Sequence, residues 1–114
     1  MYPIRRLRRQ KLSGIAFHDG VQLEDGRVAH FDSDGLKVSS FEDFAMGMSV
    51  TTLGFVPRNQ YREVMRRLSL AHTYPRPYHL TNWNCETFAN WFIGKTPEFV
   101  SNVVYGRCDQ AAIF

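Results

Sequence analysis

The stretch HDGVQLEDGRVAHF, residues 18–31, has the pattern of a β-hairpin with a histidine near each end. Two strand-like runs flank Glu24, Asp25 and Gly26, a combination typical of a tight turn. The pattern therefore predicts two antiparallel strands in the region from Lys11 to Phe31.

The register of this hairpin decides whether His18 and His30 lie together. A three-residue loop at 23–25 sets His18 directly opposite His30, on one face of the sheet. A two-residue turn at 25–26 instead sets His30 opposite Val21, with the histidines on opposite faces. The sequence leaves both registers open, and the first brings two imidazoles side by side.

A second stretch, NWNCETFANWF at residues 82–92, sets a cysteine at the start of a helical pattern. From Cys85 onward the apolar residues recur at helical spacing, as Phe88, Ala89, Phe92 and Ile93. In a first helical turn, unpaired backbone N–H groups and the helix dipole favour thiolate over thiol. Cys85 is therefore either a nucleophile or a small buried apolar residue.

The segment between these stretches predicts short elements of both kinds. The run DSDGLKVSS is polar and contains a glycine, which indicates a break between elements. Ser40 then caps a helical turn that ends at Gly47. The run MSVTTLGFV predicts a strand, and Pro57 closes it. After it comes an amphipathic helix whose apolar face consists of Tyr61, Val64, Met65 and Leu68. We expect an α+β domain: a small antiparallel sheet of about four strands, with helices packed on one side and the Cys85 helix facing the hairpin.

Positive charge is concentrated at the start of the chain. The formal net charge is +3, but the first eleven residues carry five basic and no acidic side chains, namely Arg5, Arg6, Arg8, Arg9 and Lys11. Residues 1–12 are interpreted as a basic N-terminal arm or a first strand. Such a run is usually solvated, and it is also able to contact an anionic lipid surface or an acidic partner.

The length of 114 residues and an apolar share of 44% suit one packed domain. No window approaches the ~20 apolar residues of a transmembrane segment, and no export signal is recognised, so we expect a cytoplasmic protein. Cys85 and Cys108 are then expected to be reduced. His18, His30, Cys85 and Cys108 match none of the usual zinc spacings, so no metal or other cofactor is expected.

With the favourable register, one histidine is able to deprotonate Cys85 while the other orients the first imidazole. The same residues resemble a known family. HDGVQLEDGRVAHF is similar to the H-box hairpin of the lecithin:retinol acyltransferase-like (H-box/NC) proteins, and YHLTNWNCETFANWFIGK to their Asn-Cys motif. The resemblance covers roughly residues 13–104, which suggests a single domain of this type over residues 13–114.

The resemblance implies a circularly permuted, NlpC-type papain-like fold and a thiol hydrolase or acyltransferase. Cys85 would be the nucleophile that takes the acyl group as a thioester, His18 the general base and His30 the orienting residue. An ester, thioester or amide substrate is expected, such as a phospholipid or a peptide or isopeptide bond. The alternative is a non-catalytic module that binds a protein or nucleic acid.

Overall fold

A computed structural model of the protein describes residues 1–10, 17–32, 34–74 and 85–93, and within the last range it describes side chains from residue 89 onward. The strands are β1 (Arg5–Gln10), β2 (Phe17–Gln22), β3 (Val28–Asp32), β4 (Gly35–Ser39) and β5 (Val50–Phe55). The helices are α1 (Phe41–Ala45), α2 (Tyr61–Thr73), preceded by a 3₁₀ turn at Arg58–Gln60, and α3 (Cys85–Phe92). Among these described helices, none combines the length and the apolar character needed to cross a bilayer.

The strands form one antiparallel sheet in the order β4-β3-β2-β1-β5. The predicted α+β class with a small antiparallel sheet is confirmed, although the described part of the sheet has five strands instead of about four. β4 lies within the run DSDGLKVSS, which was interpreted as a break between elements. β1 corresponds to the first-strand alternative for the basic run, and it lies inside the sheet between β2 and β5.

The hairpin of β2 and β3 adopts neither predicted register. The N–H of Leu23 donates to the carbonyl of Arg27 at 2.8 Å, so the loop spans residues 24–26, one residue later than the predicted loop at 23–25. His30 is consequently opposite Gly20, and His18 is not directly opposite His30. Since side chains alternate between the faces with a period of two, this two-residue shift keeps both histidines on the same face.

One face of the sheet, which we call the histidine face, carries Leu7, His18 and His30, as the pairing of β1, β2 and β3 requires. Helix α1 covers it through Phe44, which packs with Leu7 in a small apolar cluster. Ser40 caps this helix as predicted, since its hydroxyl accepts a hydrogen bond from the Asp43 N–H at 3.0 Å.

The opposite face, which we call the helical face, carries the main apolar core beneath α2 and α3. The predicted inner face of α2 is confirmed at Val64 and Leu68, but Met65 is 42% exposed. The expectation that the helices pack on one side is therefore right for α2 and α3 and wrong for α1. Each fully buried large side chain contributes about 1.5–3 kcal/mol to folding. The central ones here are Val21, Phe31, Val64 and Phe92, and the smaller Ala29 and Ala89 belong to the same core.

Candidate active site

The imidazoles of His18 and His30 form a buried, hydrogen-bonded pair on the histidine face. Nε2 of His18 lies 2.9 Å from Nδ1 of His30, and the ring planes are nearly perpendicular at 89°. The side chains are only 2% and 8% exposed. The two predicted residues are therefore in contact. They meet diagonally across the two strands, with His30 opposite Gly20, and not in either of the predicted registers.

Strand β4 extends this pair into a chain of three polar groups. Nε2 of His30 lies 3.0 Å from the hydroxyl oxygen of Ser39. If His18 donates to His30, then His30 donates to Ser39; in the reverse arrangement the hydroxyl of Ser39 donates to His30. Either direction keeps both ring nitrogens of a neutral His30 paired. Ser39 was not predicted as a site residue, because the run that contains it was interpreted as a break between elements and not as a strand.

The environment of His30 favours the neutral imidazole. Burial lowers the pKa of His30 to about 4; Asp32 opposes this shift, while Lys37 and Arg9 add to it. His30 is therefore uncharged near neutral pH. A neutral ring is suited to hold a neighbouring imidazole in one tautomer, which is the orienting role expected for this residue.

A cavity of about 250 Å³ lies against the histidine pair, under α1. Phe44 from α1 stacks on His18 with ring centroids 5.4 Å apart, and it meets the edge of His30 at the same distance. The charged residues that line the cavity are Arg9, Asp32, Lys37 and Asp43. The imidazoles thus face a cavity built by β1, β4 and α1.

Cys85 is the first residue of α3, which confirms its predicted place in a first helical turn. Its side chain lies outside the described residues, as does Cys108. The helix contacts β2 and β3 as expected, but Ala89 and Phe92 pack on the helical face. The structure thus brings His18 and His30 together, while the described part of α3 lies on the other side of the sheet from their rings.

The arginines of the basic run are held by partners inside the protein. Arg6 and Arg8 each form a 2.7 Å ion pair with Asp19, and Arg5 donates to Thr52 at 2.8 Å. The interpretation of this run as a solvated segment is wrong for Arg6, Arg8 and Arg9, whose side chains are largely buried. Contact with an external anion stays a prediction, and Lys11 lies outside the described residues.

Within the described ranges, no three His, Cys, Asp or Glu side chains are grouped so that they could hold a metal ion. Comparison of the chain with protein-family models, with curated proteins and with solved structures found no match.

Proposed function

We propose that the protein is a cysteine-dependent hydrolase or acyltransferase that works through a thioester on an ester, thioester or amide substrate. The observation that carries the proposal is the buried hydrogen bond between His18 and His30, since a base held by a neutral orienting ring is what a thiol nucleophile needs. Cys85 supplies the nucleophile, and its position at the start of α3 favours the thiolate.

The proposed reaction has two acyl transfers. The proton of the Cys85 thiol passes to the His18 ring while Sγ forms a bond to the substrate carbonyl carbon. The backbone N–H of Cys85 donates to the developing oxyanion. Collapse breaks the bond to the leaving oxygen, nitrogen or sulfur, which takes the proton from His18. Water or an acceptor hydroxyl or amine then attacks the thioester carbonyl carbon and gives its proton to His18. The bond between that carbon and Sγ breaks, the acyl group leaves as an acid, ester or amide, and Cys85 recovers its proton from His18.

The arrangement of α3 sets a condition on this reaction. His18 is the second residue of β2, so its ring is near the end of that strand, whereas Ala89 and Phe92 pack on the helical face. The proposal therefore requires the Cys85 thiol to reach His18 around the start of β2. Because Nε2 of His18 is already shared with His30, the thiol proton must pass to Nδ1.

The same arrangement favours a second candidate function. If the Cys85 thiol does not reach His18, the histidine pair has no nucleophile, and the fold is a non-catalytic module that binds a protein or nucleic-acid partner. The observation for this candidate is that Ala89 and Phe92 of α3 pack on the face of the sheet opposite to the imidazoles.

Alkylation of the two cysteines by iodoacetamide separates the two candidates. The enzyme proposal predicts that Cys85 reacts at pH 7 roughly tenfold faster than Cys108, because a thiolate held below the ordinary pKa of about 8.5 reacts faster. His18→Ala should remove the difference. His72→Ala is the matched control, since His72 lies in the last turn of α2, and it should leave both rates unchanged. Equal, slow rates in the unaltered protein would support the non-catalytic module.

A further inference from the structure

Arg9 is a buried cation without an acidic partner in the described part of the chain. Its side chain is 3% exposed, and burial lowers the pKa of its guanidinium. Its hydrogen bonds all go to uncharged acceptors: the carbonyl oxygens of Phe44 and Gln10 and the thioether sulfur of Met46. The hydrogen bond to Gln10 is long, at 3.4 Å, and the thioether of Met46 is a weak acceptor. The guanidinium carbon also lies 5.7 Å from the centroid of the Phe44 ring, a cation–π contact. A buried charge with no acidic partner among the described residues is still costly unless an opposite charge neutralises it.

Arg9 lines the cavity of about 250 Å³ that also contacts the histidine pair. A carboxylate in the same cavity, Asp32, is already satisfied, since it pairs with Lys37 at 2.8 Å and accepts the Asp34 N–H at 2.8 Å. Lys37 adds a second, half-exposed cation to the cavity wall. Ser39 contributes a hydroxyl that is able to donate.

We infer that this cavity binds a small oxyanion, such as phosphate or a short carboxylate, between Arg9 and Lys37. The anion would supply the charge that Arg9 lacks and would accept charge-assisted hydrogen bonds from its guanidinium. Both proposed ligands, Arg9 and Lys37, line the cavity on the histidine face. The inference assigns no role to the Cys85 thiol, so it can be tested separately from the thiol chemistry.

Titration of the protein with inorganic phosphate at pH 7 and constant ionic strength tests the inference, with the ring resonances of His18 and His30 as the readout. Saturable shifts of both histidines are expected, because their rings line the cavity. A parallel titration with propionate tests the carboxylate arm, and saturation in either arm supports the site. Shifts that are absent or that rise linearly with both anions overturn it.

Two substitutions at the cavity rim should change affinity in opposite directions. Lys37→Gln removes a cation and is expected to weaken binding by about threefold or more, while Asp43→Asn removes an acid and is expected to tighten it by a similar factor. Arg27→Gln and Glu42→Gln are the matched controls, because both residues line a different cavity. If the control variants change the affinity for phosphate as much as the rim variants do, the affinity depends only on the net charge of the protein, and the proposed site is overturned.

Arg9 itself is tested by Arg9→Lys, which keeps the charge, and by Arg9→Gln, which removes it. If both variants fold, phosphate binding should persist in the first and be lost in the second; if Arg9→Gln unfolds, the rim variants decide. Cys85→Ser should bind phosphate like the unaltered protein. Failure of the anion site and failure of the thiol mechanism are therefore separate results.

Discussion

The surroundings of the His30 side chain constrain both its position and its charge. Its ring is buried between His18 and Ser39, and its pKa is lowered to about 4. The neutral ring is retained because both nitrogens have hydrogen-bonding partners, whereas a charged ring would lose hydration in this position.

The protonation of His30 predicts how stability depends on pH. The pKa of His30 is 6.5 in the unfolded chain and about 4 in the folded protein, so the unfolded chain binds the proton more tightly. The contribution of neutral His30 to the free energy of unfolding is therefore fully present above pH 6.5 and is lost as the pH falls toward 4. At about 1.4 kcal/mol per pKa unit, the fall from 6.5 to about 4 limits the loss to at most about 3.5 kcal/mol. Urea unfolding at pH 7, 5.5 and 4.5 measures it. His30→Gln should flatten this slope, and an identical slope in the variant would show that His30 is not its source.

At the scale of elements, Gly20 is what allows α1 to lie against the hairpin. A Cβ at this position would lie 2.7 Å from Cγ1 of Val28 and 2.8 Å from Cε1 of Phe44. Both distances are shorter than a van der Waals contact, and the second neighbour belongs to the helix that covers the histidines. The close approach of α1 to β2 therefore depends on the missing side chain.

We expect Gly20→Ala to destabilise the protein by about 1–3 kcal/mol, the usual cost of overpacking, and to move Phe44 away from the histidine rings. Gly54→Ala is the matched control, since a Cβ there has no neighbour within 4 Å. Urea unfolding of both variants measures the difference. Equal stabilities would mean that α1 shifts at no cost, and the histidine ring resonances would then report where Phe44 has moved.

The elements predicted from sequence are those with local signals. The two strands of the hairpin follow the turn at 24–26, α1 follows the cap at Ser40, and α3 follows the spacing of Ala89 and Phe92. β4 lacked such a signal, because Leu36 and Val38 are only half-buried in a short edge strand. Local rules did not predict the hairpin register, because loops at 23–25 and at 24–26 have the same length, and only the hydrogen bond from Leu23 to Arg27 distinguishes them.

At the scale of the whole molecule, Asp19 joins parts of the chain that are distant in sequence. Its carboxylate is completely buried and accepts from Arg6 at 2.7 Å and from Arg8 at 2.7 and 2.9 Å. Arg6 also donates to the side chain of Asn90 on α3. The first strand, the hairpin and the last described helix thus share one polar network beneath the apolar core of the helical face.

This network explains why the first strand was difficult to predict. β1 contains four arginines and one large apolar residue, Leu7, so its composition indicates a surface segment. Arg6 and Arg8 are able to be buried because Asp19 and Asn90, which are 11 to 84 residues away in sequence, accept their hydrogen bonds. Partners at such separations leave no local pattern in a single sequence.

The network also predicts a large difference between two otherwise similar substitutions. Asp19→Asn leaves Arg6 and Arg8 without the carboxylate that neutralises them, and loss of one partner from a buried ion pair costs about 3–5 kcal/mol. Because those arginine side chains are 13% and 18% exposed, the lower end of that range is expected. Asp25→Asn also removes an aspartate paired with an arginine, but both side chains there are more than half exposed. Its cost should stay below about 1 kcal/mol.

Urea unfolding at pH 7 measures both free energies, and hydrogen exchange of the α3 amides shows whether the network holds that helix. Asp19→Asn should speed exchange in α3 relative to α2, because Arg6 loses the charge that fixes its contact with Asn90. Asp25→Asn should leave the exchange of both helices unchanged. Similar, small effects of the two substitutions would mean that water reaches Arg6 and Arg8 in solution, and that apolar packing of Ala89 and Phe92 is sufficient to hold α3 on the sheet.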